Sequence, residues 1–184
     1  MWKEFRKQRL KALEDALAAK KVDEGIIPLL KKINENENLV TTSSCFGRIV
    51  LLGFDLEKRK ETATFYKKWH RKVTAEEVEL AVVHYNDKLP LWFKVEPFIL
   101  HVSARDYETA ENFMKKMRAA GVKRGGIQGT TKDKIAIEVQ GTTWMAFPIT
   151  AVEPRWEEVV ALANKMMDIN ARQIKKLERY IYIF

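Results

Sequence analysis

The sequence predicts an α+β fold, a mostly antiparallel or mixed sheet flanked by helices, and three observations carry that expectation. Segments of helical period and segments of strand alternation follow one another in irregular groups, without the strict strand–helix alternation of a doubly wound sheet. No Gly-x-Gly-x-x-Gly follows a first strand, so the fold is expected to be non-Rossmann. With 184 residues, 46% hydrophobic and 32% charged, the chain can fill one core and keep a charged surface. Residues 1–184 are read as a single domain.

Lys3 to Lys20 opens the chain as a helix, with Phe5, Leu10, Leu13 and Leu17 near one face and Lys3, Arg6, Lys7, Arg9 and Lys11 on the exposed side. Asp23 is placed to cap a second helix over 24–35, whose apolar face is Ile26, Ile27, Leu29, Leu30 and Ile33. Strand alternation then takes over at Leu39 to Cys45, Arg48 to Phe54 and Thr62 to Trp69, with Gly47 and the charged loop Asp55 to Glu61 between them. Thr74 and Glu77 form a capping box for a helix to about Tyr85. Leu91 to Val95 and Phe98 to Ser103 are strands separated by Pro97, which cannot donate to a ladder and so marks a bend or an edge. Asp106 caps the next helix and Gly121 stops it. Gly126 to Thr130, Lys134 to Val139 and Trp144 to Thr150 read as strands, and Pro154 starts a long terminal helix.

The charge narrows the partners. Thirty-three Lys and Arg against 25 Asp and Glu leave +8, a surplus that favours a polyanion, since each neutralised phosphate releases counterions. One cysteine excludes an internal disulfide, and three histidines leave little room for zinc, so no metal is expected. No stretch approaches the roughly 20 consecutive apolar residues of a membrane span. The charged N-terminus is no secretory signal, which places the protein in the cytoplasm with no membrane partner.

Four segments could hold chemistry. In Thr41-Thr42-Ser43-Ser44-Cys45-Phe46-Gly47-Arg48, hydroxyls crowd a strand end before a glycine and an arginine, which suits a carboxylate or phosphate; the alternative is a plain turn with Arg48 paired to an acid. Glu96 and His101 flank the break at Pro97, and alternation sets His101 on the face opposite Leu100 and Val102. Trp69-His70-Arg71-Lys72 joins an aromatic and a titratable ring to two cations, a set that stacks on bases and holds phosphates, or else is a core tryptophan before a solvated loop. Lys123-Arg124-Gly125-Gly126 sets two cations before a glycine pair that lets backbone approach a flat or anionic ligand, or is merely a helix exit and a bent strand.

Taken in order, the quoted residues resemble the tRNA wybutosine-synthesizing protein 3 family over nearly the whole chain. The likeness rests on Val22-Asp23-Glu24 with Ile26, Leu29 and Ile33-Asn34, on Thr42-Ser43-Ser44-Cys45 with Gly47-Arg48, and on His70. It continues through Glu96-Pro97-Phe98-Ile99-Leu100-His101-Val102, Gly121 to Ile127, and Asn164, Asn170 and Arg172. The resemblance implies an S-adenosylmethionine-dependent methyltransferase on a family-specific, non-Rossmann fold. Its target would be the N-4 ring nitrogen of the wyosine precursor, 7-aminocarboxypropyl-demethylwyosine, beside the anticodon of tRNA(Phe). In archaea the product would be a wyosine derivative. Phe46, Gly125 and Leu17 stand where serines are common in that pattern, as a paralogue with altered substrate or no activity would show.

Methyl transfer needs in-line approach and removal of one proton. His70 or His101 is the expected base. Ser43, Ser44, Arg48, Glu96, Gly125 and Gly126 are expected to bind the cofactor. Lys3, Arg6, Lys7, Trp69, Arg71, Lys123 and Arg124 are expected to contact tRNA. The alternatives are a non-catalytic tRNA-binding paralogue and an unrelated basic RNA-binding module.

Overall fold

The computed structural model describes residues 1–58 and 63–182. In chain order its elements begin with α1 (Trp2–Ala18), a 3-10 turn (Glu24–Ile26), α2 (Ile27–Asn34), β1 (Leu39–Cys45), β2 (Arg48–Gly53) and β3 (Thr64–Trp69). They continue with α3 (Ala75–Val83), β4 (Leu91–Glu96), β5 (Ile99–Ala104), α4 (Tyr107–Ala119), β6 (Arg124–Thr131), β7 (Lys134–Gln140), β8 (Met145–Pro148) and α5 (Trp156–Tyr182). The strands form two sheets, ordered β1-β5-β7-β6 and β3-β2-β4-β8. Every pairing among the described residues is antiparallel, which makes the fold α+β and non-Rossmann.

Contacts divide the chain into two compact units. The first holds Met1–Phe46, Phe98–Thr142 and Asn170–Phe184; the second holds Gly47–Pro97 and Thr143–Ile169. In the first, alternation along β5 and β7 sends Leu100, Val102, Ile135, Ile137 and Val139 to one face of the sheet. There they bury against Leu29, Leu30 and Ile33 of α2, Phe113 and Met117 of α4, and Ile174 and Leu177 of α5. On the other face, one end is covered: Val40 and Ser103 are buried there and α1 packs on β1. The Lys134 ammonium lies 3.9 Å from the ring centroid of Phe5, on α1, at that end. Beyond that end the face carries Ser43, His101 and Glu138, with Cys45, Ile99 and Gln140 at its far edge.

In the second unit, Ile49, Leu51, Phe93 and Val95 share a buried face, by the register of β2 and β4. Phe93 stacks on Phe147 of β8 with centroids 5.4 Å apart and meets Trp156 of α5 at 5.7 Å. Asn164 locks the loop before α3: its carbonyl accepts the Val73 N–H at 3.0 Å and its amide donates to the Val73 carbonyl at 2.8 Å.

Local signals place the helix ends as expected. Thr74 accepts from the Glu77 N–H, Asp106 accepts from the Thr109 N–H, and Gly121 exits α4 at φ +83°. Asp23 does not cap through its side chain; its carboxylate instead accepts the Phe46 N–H at 2.7 Å. The expected strand over Trp144 to Thr150 shortens to Met145–Pro148, because Ile149–Ala151 closes into a 3-10 turn. The strand expected from Thr62 is observed from Thr64; Thr62 lies outside the described residues. No helix among the described residues is long and apolar enough to cross a membrane.

Candidate functional site

The polar face of the first unit is built by register. Ser43 on β1 pairs with His101 on β5, His101 with Glu138 on β7, and Glu138 with Gly126 on β6. Directly opposed residues of antiparallel strands share a face, so these four stand in one row across the sheet. Ser43 reaches its place through a bulge: pairing runs Thr41 to Val102 and then Ser43 to His101, leaving Thr42 as the extra residue. Without it, Thr42 would oppose His101.

The row is hydrogen bonded along its length. The Ser43 hydroxyl lies 2.8 Å from His101 Nδ1, and His101 Nε2 lies 3.0 Å from Glu138 Oε2. The Gln140 amide donates to the other Glu138 oxygen at 3.0 Å. A carboxylate only accepts, so the Glu138 contact sets the imidazole proton on Nε2. The Nδ1 lone pair then accepts the Ser43 O–H. Ser43 is exposed, so the outermost group of this relay is a hydroxyl.

The glycines beside the row differ in kind. Gly125 has φ +137°, and a Cβ there would strike the Glu138 carbonyl and come within 3.0 Å of Val139 Cα. Gly126 faces nothing within 4 Å. Gly125→Ala is therefore expected to lose about 1–3 kcal/mol through backbone strain, read as a lowered urea midpoint. Gly126→Ala is expected to stay within about 1 kcal/mol of wild type. Equal destabilisation of the two variants would contradict this assignment.

In the second unit Arg48 and Glu96 are direct cross-strand partners, with Arg48 Nε 2.7 Å from Glu96 Oε2. Lys94 Nζ lies 2.6 Å from the other Glu96 oxygen, and Lys94 is only 7% exposed. The Arg48 guanidinium also lies over the Phe65 ring, 4.6 Å from its centroid. Burial pushes the Glu96 carboxyl up, but hydrogen bonds from Lys94 and Arg48, with their charges, outweigh it and hold the group below its ordinary value. Stability from ionised Glu96 is thus in place above the unfolded carboxylate's range and is lost as pH falls through the lower folded value. Glu96→Gln is expected to flatten the stability–pH curve below about pH 5, where carboxylates begin to protonate, measured by urea unfolding at stepped pH. Parallel curves for the two proteins would refute it.

The structure distributes the other expected residues as follows. Ser44 is half-buried next to Ser43 on β1. His70 is exposed at the bend after β3. Trp69 is 9% exposed, so its ring is a core group of the second unit rather than an open stacking surface. Arg71 binds Glu77 through both terminal nitrogens, at 2.6 and 3.0 Å. Arg6, expected on the exposed side of α1, turns inward: it donates to the Asn34 carbonyl at 2.6 Å and the Leu39 carbonyl at 3.2 Å, capping the end of α2. Lys3, Lys7, Lys123 and Arg124 are exposed. Lys3 and Lys7 join Lys11 and Arg105 along an open groove of about 600 Å³. A second groove, of about 1140 Å³, is lined by Asn36, Asn112 and Lys116 and touches none of the row. Phe46, standing where the resemblance expects serine, fills space: its ring lies where a Cβ on Gly25 would be.

Sequence reasoning passed over Glu138 and Lys94. Glu138 sits in an alternating strand like any solvated acid, and only the pairing of β5 with β7 links it to His101. The lone signal for Lys94 was a cation two residues before Glu96, on the same strand face.

The comparisons with known proteins agree with this architecture. Residues 3–182 match the family model described as Methyltransferase TYW3. The tRNA(Phe) 7-((3-amino-3-carboxypropyl)-4-demethylwyosine(37)-N(4))-methyltransferase of Thermococcus sibiricus is 36% identical over 179 residues, spanning 94% of this chain and 90% of that protein. The Thermococcus kodakarensis methyltransferase 1 of the same name is 37% identical over 186 residues, spanning 96% and 93%. The solved structure of PH1069 from Pyrococcus horikoshii is similar at a TM-score of 0.88 and 35% identity, covering 97% of this chain and 94% of that one. On a match that takes in both sheets and the Ser43–His101–Glu138 row, the chain belongs to the Methyltransferase TYW3 family.

Proposed function

We propose that residues 1–184 work as one domain that methylates the N-4 ring nitrogen of 7-(3-amino-3-carboxypropyl)-4-demethylwyosine, beside the anticodon of tRNA(Phe). The named activity of the two Thermococcus relatives supports the substrate. The observation that carries the chemistry is the Ser43–His101–Glu138 relay. S-adenosylmethionine, the proposed donor, supplies an electrophilic methyl group when bound. The residues present fit such a group: Gly126, where no atom lies within 4 Å of a would-be Cβ, stands across from the Glu138 carboxylate with Gly125 beside it, which suits a flat base and hydroxyls. Ser43 and Ser44 remain proposed holders of its polar groups.

As the nitrogen gains a methyl group it must shed its proton. The exposed Ser43 hydroxyl takes that proton while passing its own to His101 Nδ1, and Glu138 holds the imidazolium that results. His101 is thus favoured over His70 as base. The tRNA backbone is assigned to the groove bearing Lys3 and Lys7, and to Lys123 and Arg124; Arg71, already paired with Glu77, is a weaker contact, and Arg6 acts by ordering the groove wall.

The test is in vitro. Purified protein, S-adenosylmethionine and tRNA(Phe) bearing the unmethylated base are expected to yield a nucleoside heavier by one methylene in mass spectrometry. No mass gain, with donor and tRNA both shown to bind, would leave the non-catalytic tRNA-binding paralogue as the better reading.

A further inference from the structure

The charge in the second unit is unbalanced where it is least exposed. Two cations, Arg48 and Lys94, share one carboxylate, Glu96. Among the described residues Lys94 has a single hydrogen-bond partner, Glu96 Oε1, although an ammonium carries three donors. A cation 93% removed from solvent with donors unfilled is a costly arrangement unless a ligand completes it. Arg48 spends only Nε on Glu96, and its Cζ lies over the Phe65 ring, which leaves its terminal nitrogens for another acceptor. Each Glu96 oxygen has accepted one bond and keeps a lone pair.

We propose that Lys94, Arg48 and Glu96 form a recognition site for an α-amino acid group, whose carboxylate bonds to Lys94 and Arg48 and whose ammonium bonds to Glu96. The central carboxylate decides the class. A phosphate or a bare carboxylate would meet Glu96 at close range and be repelled, whereas a zwitterion brings its own cation to that position. The Phe65 ring, 41% exposed, adjoins Arg48 and offers apolar surface to the methylene chain of such a ligand. The inference rests on the methyl transfer proposed above, and there it has two chemical sources. The proposed donor ends in an α-amino acid, and so does the 3-amino-3-carboxypropyl arm of the tRNA base. The site adds Lys94 to the functional residues and makes the cluster a determinant of specificity.

The variant that tests it is Lys94→Met, which leaves Arg48 and Glu96 paired one to one and removes only the surplus cation. Lys94→Gln, which keeps a donor without the charge, serves if the first variant does not fold. Binding of S-adenosylmethionine and of its decarboxylated analogue is measured by calorimetry. Methyl transfer is measured on tRNA(Phe) with and without the aminocarboxypropyl arm. If the donor is the source, wild type prefers it over the decarboxylated analogue by about 10–100-fold, the worth of a charged hydrogen bond, and the variant loses that preference. If the base is the source, the variant's KM rises by a similar factor for the armed tRNA alone. A folded variant that preserves both preferences overturns the inference while leaving methyl transfer intact. A wild type that binds neither donor nor armed tRNA overturns both.

Discussion

His101→Gln is expected to lower kcat for methyl transfer by about 10²–10⁴-fold, the usual worth of a positioned base, with little change in tRNA affinity. Glutamine can still bond to Ser43 and Glu138, so the row keeps its shape and loses only the capacity to take up a proton. Glu138→Gln is expected to approach the same loss for a different reason. Its amide can donate to Nε2, which moves the imidazole proton to Nδ1 and turns that nitrogen from acceptor to donor toward Ser43. Ser43→Ala removes the outer hydroxyl, and a water can stand in for it, so the expected loss is nearer 10-fold. Single-turnover rates on precursor tRNA(Phe) check the series. A His101→Gln rate within threefold of wild type would end the relay, and a large loss in His70→Ala instead would move the base to the bend after β3.

Much of this molecule is legible in the sequence because its signals are local. The caps at Thr74 and Asp106 sit three residues from the N–H groups they accept, and the helix stop at Gly121 depends on one φ angle. Alternation placed His101 opposite Leu100 and Val102, and the structure buries those two while leaving His101 part-exposed. What stays hidden depends on register. A single unpaired residue, Thr42, decides that Ser43 rather than its neighbour meets His101. Glu138 joins the row across 37 positions of sequence. Side-chain burial is hidden for the same reason: nothing local distinguishes Lys94, 7% exposed, from the exposed Lys67 and Lys68, and nothing local says that Arg6 turns to backbone carbonyls while Lys3 and Lys7 stay out.

Asn170→Leu is expected to cost about 2–6 kcal/mol, because it strands a buried N–H and a part-buried carbonyl at about 1–3 kcal/mol each. Asn170 is 1% exposed; its carbonyl accepts the Phe98 N–H at 2.8 Å and its amide donates to the Phe46 carbonyl. Phe46 follows β1 and Phe98 precedes β5, whose last rung is Cys45 to Ile99. The asparagine amide therefore stands where the next rung of the ladder would be, and bridges two strand ends that have begun to part. Leucine fills the same volume and satisfies neither end. Asn170→Asp keeps the acceptor for Phe98 but sets a carboxylate against the Phe46 carbonyl, so it is expected to be no better. For a chain of this length the leucine variant should melt roughly 5–20 °C below wild type. Since Ser43 and His101 pair three rungs from Asn170, methyl transfer should fall at temperatures where the variant is still folded, through loosened spacing of the row rather than loss of any member. Calorimetric melting within 2 °C of wild type would show that the strand ends hold themselves, and that Asn170 fills space without positioning the relay.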